Sequence, residues 1–326
     1  MDEVLEALKP FDPEFIKAVE KLEVPPSVWM VFFKRAETPD GQLCDKLIDC
    51  GYTDSAVRAH LGAIANLPTE KLIQTFLDDP VAANAACGSL QVRTTHIDKD
   101  RAVQLVQSNI ERERLLGVLM LTYSLGAAHE SEVIPILHKL AAIEDNEEVL
   151  EALCFALYQL QDTNKIQHIK HLATHKNASI RYAVSACCFG TDDPDGIDIL
   201  MVLARDRDPA VRNWSVTGLG QSLRHTLNRL ADFRTVFIES IEDEDRFTRL
   251  EALDALSQLN LKNKRILEVL ITELEASDVP LIAIKAAIGF ADPTLYPTLN
   301  KLHLLLTEDS PIFENLKKAI EVCRPR

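Results

Sequence analysis

Apolar residues recur along this chain at helical spacing, in blocks separated by short polar connectors. Val133, Ile134, Leu137 and Leu140 make one stripe. Leu267, Leu270, Ile271 and Leu274 make another. Apolar positions three and four residues apart predict amphipathic helices. Between these Leu/Ile-rich helices lies a second kind, dense in small residues: Ala183 and Ala186, Ala252 and Ala255, Ala286 and Ala287. Small side chains let neighbouring helices approach closely. Start signals open this second kind. Asp208-Pro209, Asp79-Pro80 and Ser310-Pro311 each offer a side-chain acceptor at the N-cap and proline at the first helical position. Asp54 and Asn177 are caps without the proline. Connectors such as Glu144-Asp145-Asn146 divide one pair from the next.

The pairs recur with a period. Leu150, Arg181 and Arg212 hold equivalent places 31 residues apart. Arg58, Ala82, Arg114, Arg249, Ile282 and Phe313 are further equivalents of this marker, at spacings between 24 and 37 residues. A period near 30 residues means stacked units, none of which buries its apolar face alone. The expected fold is all-α, a right-handed α-solenoid of stacked helix pairs with about nine repeats. It runs as one continuous domain over residues 41–326. Residues 1–40 depart from the period and read as an irregular helical cap. There Pro25 and Pro26 lead into an aromatic stretch in which Trp29 and Phe33 share one helix face, so a hydrophobic partner site is the alternative. Trp214, in a marker helix, reads as packing. Glycine is scarce (11 residues) and β-branched runs are short, so almost no strand is expected.

The phrase Asp208-Pro209-Ala210-Val211-Arg212, followed by Gly218-Leu219-Gly220, resembles the HEAT-repeat family, in the shorter form also seen in the phycobilisome-lyase-like group. Asp54 to Arg58 and Asn177 to Arg181 are weaker copies. The resemblance covers roughly residues 40–322 and implies the solenoid. It says little of function, because the motif residues cap and pack. The family's arginine is replaced at Ala82, Leu150, Ile282 and Phe313, so a continuous Asp–Arg ladder is not expected. Deoxyhypusine hydroxylases of this type bind two irons through paired His-Glu motifs, whereas this chain has only His129-Glu130. Alkylpurine glycosylases with similar helices need a basic, aromatic-lined channel, which the acidity opposes. A chromophore lyase or isomerase is the alternative class, with no active site to nominate.

Hydrophobic residues make up 47% of the 326, enough for a large core. The longest apolar stretch, Leu115 to Ala128, contains Thr122, Tyr123 and Ser124 and falls short of a membrane span. The N-terminus lacks the basic start and long apolar core of a signal peptide. Seven cysteines, odd in number and scattered, argue for a reducing, cytoplasmic setting rather than a disulfide framework. Cys87, Cys154, Cys187 and Cys188 fall in small-residue helices and read as core.

Fifty acids against 35 bases give a net charge of −15, which disfavours a nucleic-acid partner. The acids gather before marker helices: Glu144 and Asp145, Asp206 and Asp208, Glu242, Asp243, Glu244 and Asp245, then Asp278. Stacking places equal phases on one edge, so an acidic ridge is expected. It serves either as helix caps and solubility or as a surface for a basic protein partner. Its densest point, Glu242 to Asp245, is expected to be solvated. The Leu/Ile-rich helices offer a second candidate surface with Lys139, Lys165, His168, Lys170, Arg229 and Lys264. His168, His171 and His175 share one helix face if the helix reaches Thr174. A solvated face without metal is expected there. No Gly-rich phosphate loop, serine elbow or His-Glu-x-x-His occurs. The expected function is a non-catalytic protein-binding scaffold or adaptor without cofactor, in its sharper form an inhibitor or immunity-type protein. No motif sets the oligomeric state.

Overall fold

The computed structural model describes residues 67–78, 86–87, 89–90, 96–123, 130–223, 229–307 and 310–325. The proposed cap with Trp29 and Phe33, the markers Arg58 and Ala82, and His129 lie outside them. Every described element is a helix, and no strand occurs among the described residues. None of the described helices is long and apolar enough to cross a membrane. The chain divides into two compact units, Met1–Gln161 and Asp162–Arg326.

In the first unit, α1 (Thr69–Asp78), α2 (His96–Val106), α3 (Glu111–Tyr123), α4 (Glu130–Ala141) and α5 (Glu147–Gln159) follow in order. Helix α3, which carries Arg114, packs on α1, α2 and α5. Its closeness to α2 depends on Gly117. A methyl group there would lie 2.6 Å from the Val106 backbone nitrogen and 2.9 Å from the Ala102 carbonyl oxygen. Helix α5 starts at Asn146, whose side chain accepts from the Glu148 and Val149 N–H groups, satisfying donors that a helix start leaves open. Leu150, Leu153, Cys154 and Leu157 form its buried face.

The second unit opens with the short α6 (Lys165–Ile169) and a 3-10 turn (Lys170–Thr174). Then come α7 (Ala178–Cys187), α8 (Pro194–Leu203), α9 (Pro209–Ser222), α10 (Leu230–Ser240) and α11 (Arg246–Gln258). The last are α12 (Lys264–Leu274), α13 (Leu281–Phe290), α14 (Tyr296–Leu305) and α15 (Phe313–Val322). The marker helices α7, α9, α11, α13 and α15 stack on one another in sequence. Helices α8, α10, α12 and α14 pack against the following marker helix and touch one another far less. The small residues explain the tighter row. Ala183, Ala252, Ala255, Ala283, Ala286 and Ala287 are all buried where marker helices meet. At Gly289 a methyl group would come within 2.5 Å of Ser257 Oγ.

The caps expected at Asn177 and Asp208 are present, each side chain accepting backbone N–H bonds from the first turn, and Asp245 caps α11 in the same way; the one expected at Ser310-Pro311 is not, because α15 begins only at Phe313, after Ile312, without a side-chain cap. The far ends of marker helices follow a rule that sequence inspection missed. Gln161, Gly190, Asn260 and Ala291 all have positive φ, the left-handed stop that closes many helices. Only one of the four is glycine, so the usual signal was absent. At Ala291 this conformation costs roughly 1–2 kcal/mol.

Among the described residues, Cys87, Cys154, Cys187, Cys188 and Cys323 are buried. Burial pushes the Cys87 and Cys187 thiols up to about 12. They act as small core side chains and are poor nucleophiles.

Candidate interaction surface

The marker arginines build one edge of the stack. Arg212 lies almost buried. Its Nη1 donates to the Asp206 and Arg207 carbonyls of its own loop at 3.0 and 3.2 Å. Its Nε and Nη2 clasp Asp243 of the next loop at 2.7 and 2.8 Å. Arg181 repeats the pattern, with Nη1 on the His175 and Lys176 carbonyls and the fork on Asp206 at 2.6 and 2.7 Å. Arg249 holds the Asp243 and Glu244 carbonyls and then Glu273. In the first unit Arg114 holds the Ser108 carbonyl and Glu144.

These bonds run on without a gap from Arg181 to Glu273. Asp206 takes the Arg181 fork on its carboxylate and offers its carbonyl to Arg212. Asp243 links Arg212 to Arg249 in the same way. The run has three rungs and, among the described residues, stops where the marker is no longer arginine, at Ile282, so the interruption expected from the missing arginines is present. Glu273 is the residue the sequence reading missed. It sits on α12 rather than in a loop, buried, and takes Arg246 as well as Arg249. Asp278, the acid expected at this level, pairs with Arg246 and stays exposed.

Burial by itself would raise the Asp206 and Asp243 carboxyls. The arginine forks and the N–H groups of Asp208 and Asp245 outweigh it and hold both below the usual range. Glu144 is held low in the same balance, through Arg114 and the N–H groups of Asn146 and Asp145.

The acidic ridge must be corrected on this basis. Asp206, Asp243 and Glu144 are largely buried clasps, not solvated charges. Asp208 and Asp245 are caps. Within the run Glu242 to Asp245, Glu242 pairs with Arg265, and Glu244 makes a 3.3 Å contact with Arg212 while its side chain stays 85% exposed. Asp145 is exposed at the corresponding edge of the first unit.

The basic surface expected on the Leu/Ile-rich helices is mostly matched by neighbouring acids. Lys170 pairs with Asp195, Arg229 with Asp198 and Asp232, and Lys264 with Glu268. Lys139 is exposed on α4. The histidines do not share one α-helical face, because α6 gives way after Ile169 to a 3-10 turn with three residues per turn. His171 is exposed and His168 half-buried. His175 Nδ1 accepts the Asn177 N–H at 3.1 Å. Among the described residues no group of three His, Cys, Asp or Glu side chains is placed to hold a metal ion.

The tighter row presents a different surface. Trp214 of α9 is half-buried, its ring centroid 5.6 Å from both Tyr182 and Phe189. Its Nε1 is sealed from solvent and has no hydrogen-bond acceptor among the described residues. One turn on, Thr217 donates to the Asn213 carbonyl at 2.8 Å, and both Thr217 and Lys285 of α13 lie near the Glu251 carboxyl of α11. Burial raises the Glu251 carboxyl, and the neighbouring charge of Asp254 raises it further, against Thr217 and Lys285. Gln258 donates to Asp254 at 2.8 Å. In the first unit, burial and then Glu148 raise Glu151 of α5.

Comparison with known proteins bears on the fold. No protein-family model matches the chain. Over 132 residues it is 31% identical to Protein YibA of Escherichia coli, a stretch covering 40% of this chain and 44% of that protein. YibA from a second E. coli strain matches equally. The chain thus spans less than half the length of the curated relatives it matches. The X-ray structure of E. coli YibA superposes with a TM-score of 0.66, covering 81% of this chain and 96% of that one at 23% identity. An engineered protein covers 98% of both chains with a TM-score of 0.51 and 15% identity. Both likenesses concern the fold alone, an all-helical stack of repeated pairs.

Proposed function

We propose that the chain is a right-handed HEAT-like solenoid of about nine repeats, capped by residues 1–40, and that it serves as a non-catalytic scaffold for a basic protein partner. One observation carries this reading. On the same loops, Glu144, Asp206 and Asp243 are buried against the chain's own arginines, while Asp145, Glu244 and Asp278 keep exposed carboxylates, the last two even as they touch Arg212 and Arg246. Exposed charge of one sign draws in a partner of the other and fixes its orientation. The sharpest form is an inhibitor or immunity-type protein that covers a basic enzyme or toxin. Buried cysteines that serve as core side chains fit a reducing, cytoplasmic setting. The test is affinity capture with the full chain at low and high salt. A basic protein retained at low salt and released at high salt is expected. Retention indifferent to salt overturns the reading.

A further inference from the structure

We infer that Phe247 anchors the partner contact: its ring enters an apolar pocket of the basic protein, and lysine or arginine side chains on the rim of that pocket meet Glu244 and Asp278. This rests on the proposal of a basic partner and names the residue at the centre of the contact.

Phe247 lies in the first turn of α11 and is 66% exposed, while Phe233, Phe237 and Phe290 are buried. It stands two residues before its marker. The same place holds Glu148, Ser179 and Ala210 in α5, α7 and α9, all polar or small and all exposed. Stacking of the repeats therefore asks for no large apolar side chain here, and a phenyl ring left in water forgoes the gain of burial. The ring is not isolated. Helices α9, α11 and α13 stack in sequence. Arg246, beside Phe247, donates to the Asp278 carboxylate and carbonyl, both at 2.9 Å, which holds the start of α13 next to that of α11. Pro209 and Ala210 are exposed on one side, and Pro280 and Leu281 are half-buried on the other. The first turns thus form an apolar strip with Phe247 at its centre.

Charge decides what covers the strip. In and around the two loops, Arg212, Arg246, Arg249 and Arg265 stand among Glu242, Asp243, Glu244, Asp245, Glu273 and Asp278. The surplus of acid surfaces at Glu244 and Asp278, whose side chains are 85% and 80% exposed. A second copy would bring the same acidic strip, in a chain of net charge −15, and like charges oppose that pairing. A protein with an apolar pocket and a basic rim satisfies both features. The buried ring supplies affinity, and the rim charges set orientation and rate.

Two arms test this on the full chain. The first uses a defined probe, β-cyclodextrin, whose apolar cavity admits a phenyl ring, in its neutral form and with amino groups around its rim. The chain carries fluorophenylalanine, and the fluorine NMR signal that Phe247→Ser removes reports Phe247. A saturable shift is expected with both forms, about tenfold tighter for the amino form at low salt. Combining Glu244→Gln and Asp278→Asn should erase that preference. No shift, or equal affinity for the two forms, overturns the inference. The second arm repeats the affinity capture at low salt with Phe247→Ser, which adopts the chain's own choice at Ser179 and should melt with wild type. About tenfold weaker retention of the basic protein is expected. Equal retention overturns the inference and leaves the basic-partner proposal standing. If wild type itself retains no basic protein, both fail.

Discussion

Arg212 and Leu150 stand at the same point of their repeats and fill it by opposite means. Arg212 lies between two loops and is hydrogen-bonded to both. Leu150 is buried and simply joins the core of α5; Phe313 does the same on α15. The position six residues before the next marker changes in step. It is Asp206 after Arg181, Asp243 after Arg212 and Glu144 after Arg114. After Leu150 it is His175, and after Ile282 it is Thr307. His175 still accepts the N–H two residues on, as Asp206 does. The loop geometry is thus kept by any suitable acceptor, and the carboxylate is needed only where a guanidinium must be met. An ion pair held out of water adds little net stability against a well-packed apolar pair, yet losing one member is costly. The arginine rungs consequently work as register marks: a repeat stacked out of phase would leave a buried charge alone.

The largest effect should come from removing one carboxylate. Asp243→Ala leaves the Arg212 fork and the Asp245 N–H unanswered, and a loss of about 3–5 kcal/mol is expected. Urea unfolding of the full chain measures it. A loss below about 1 kcal/mol would mean the rung is no more than a surface pair. Next in size is the conversion of a rung to the apolar type. Arg212→Leu alone should cost about 2–3 kcal/mol because Asp243 is stranded. Adding Asp243→Asn should recover part of this, so the double change falls short of the sum of the two single losses. Strict additivity would deny that the two positions form one device.

Acid provides a gentler probe of the same contrast. The Asp206, Asp243 and Glu144 carboxyls lie below their ordinary values in the folded chain. The stability they contribute is therefore full above the unfolded carboxylate range. It disappears as pH falls through the lowered folded values, below about pH 4. Wild type should lose stability steeply there, and Arg212→Leu less steeply, since Asp243 no longer titrates low. Parallel acid limbs in the two proteins would contradict the assignment.

How much of this was legible in the sequence follows from what each feature depends on. Caps at Asn177 and Asp208 are local and carry a one-residue signal in the sequence, whereas Asn146 reads there only as part of a connector. The marker period gave the helix pairs because stacking forces a repeat. The missing arginines mark where the ladder is interrupted, but arginines alone do not say which carboxylates complete its rungs. Reading each marker with the acid six positions before the next would have found the rungs from Arg114, Arg181 and Arg212. Glu273 would still have escaped, since the position that rule names is Ala276 and the carboxylate comes from a helix instead. The positive-φ stops at Gln161, Asn260 and Ala291 lacked glycine. The packing of Trp214 on Tyr182 and Phe189 needed two helices in contact, which no spacing rule supplies. The histidine face failed for a local reason, a helix that tightens into a 3-10 turn.

The smallest expected effect separates the two kinds of acid within one loop. Glu244 follows Asp243 directly, yet its side chain is 85% exposed and its contact with Arg212 is long, at 3.3 Å. An exposed pair of this sort is worth less than about 1 kcal/mol, and Arg212 keeps its two bonds to Asp243 without it. Glu244→Lys should therefore leave the urea midpoint nearly unchanged, whereas Asp243→Lys should shift it by far more than any other single reversal in the run. If the loop edge helps steer a basic partner, Glu244→Lys should slow association and flatten its salt dependence while leaving dissociation almost untouched, because exposed charges act on encounter more than on the formed contact. Stopped-flow association at several salt concentrations reads both. A Glu244 reversal that unfolds the chain would place this carboxylate among the rungs, and equal loss from Asp243→Lys and Glu244→Lys would erase the distinction between structural and exposed acids on this edge.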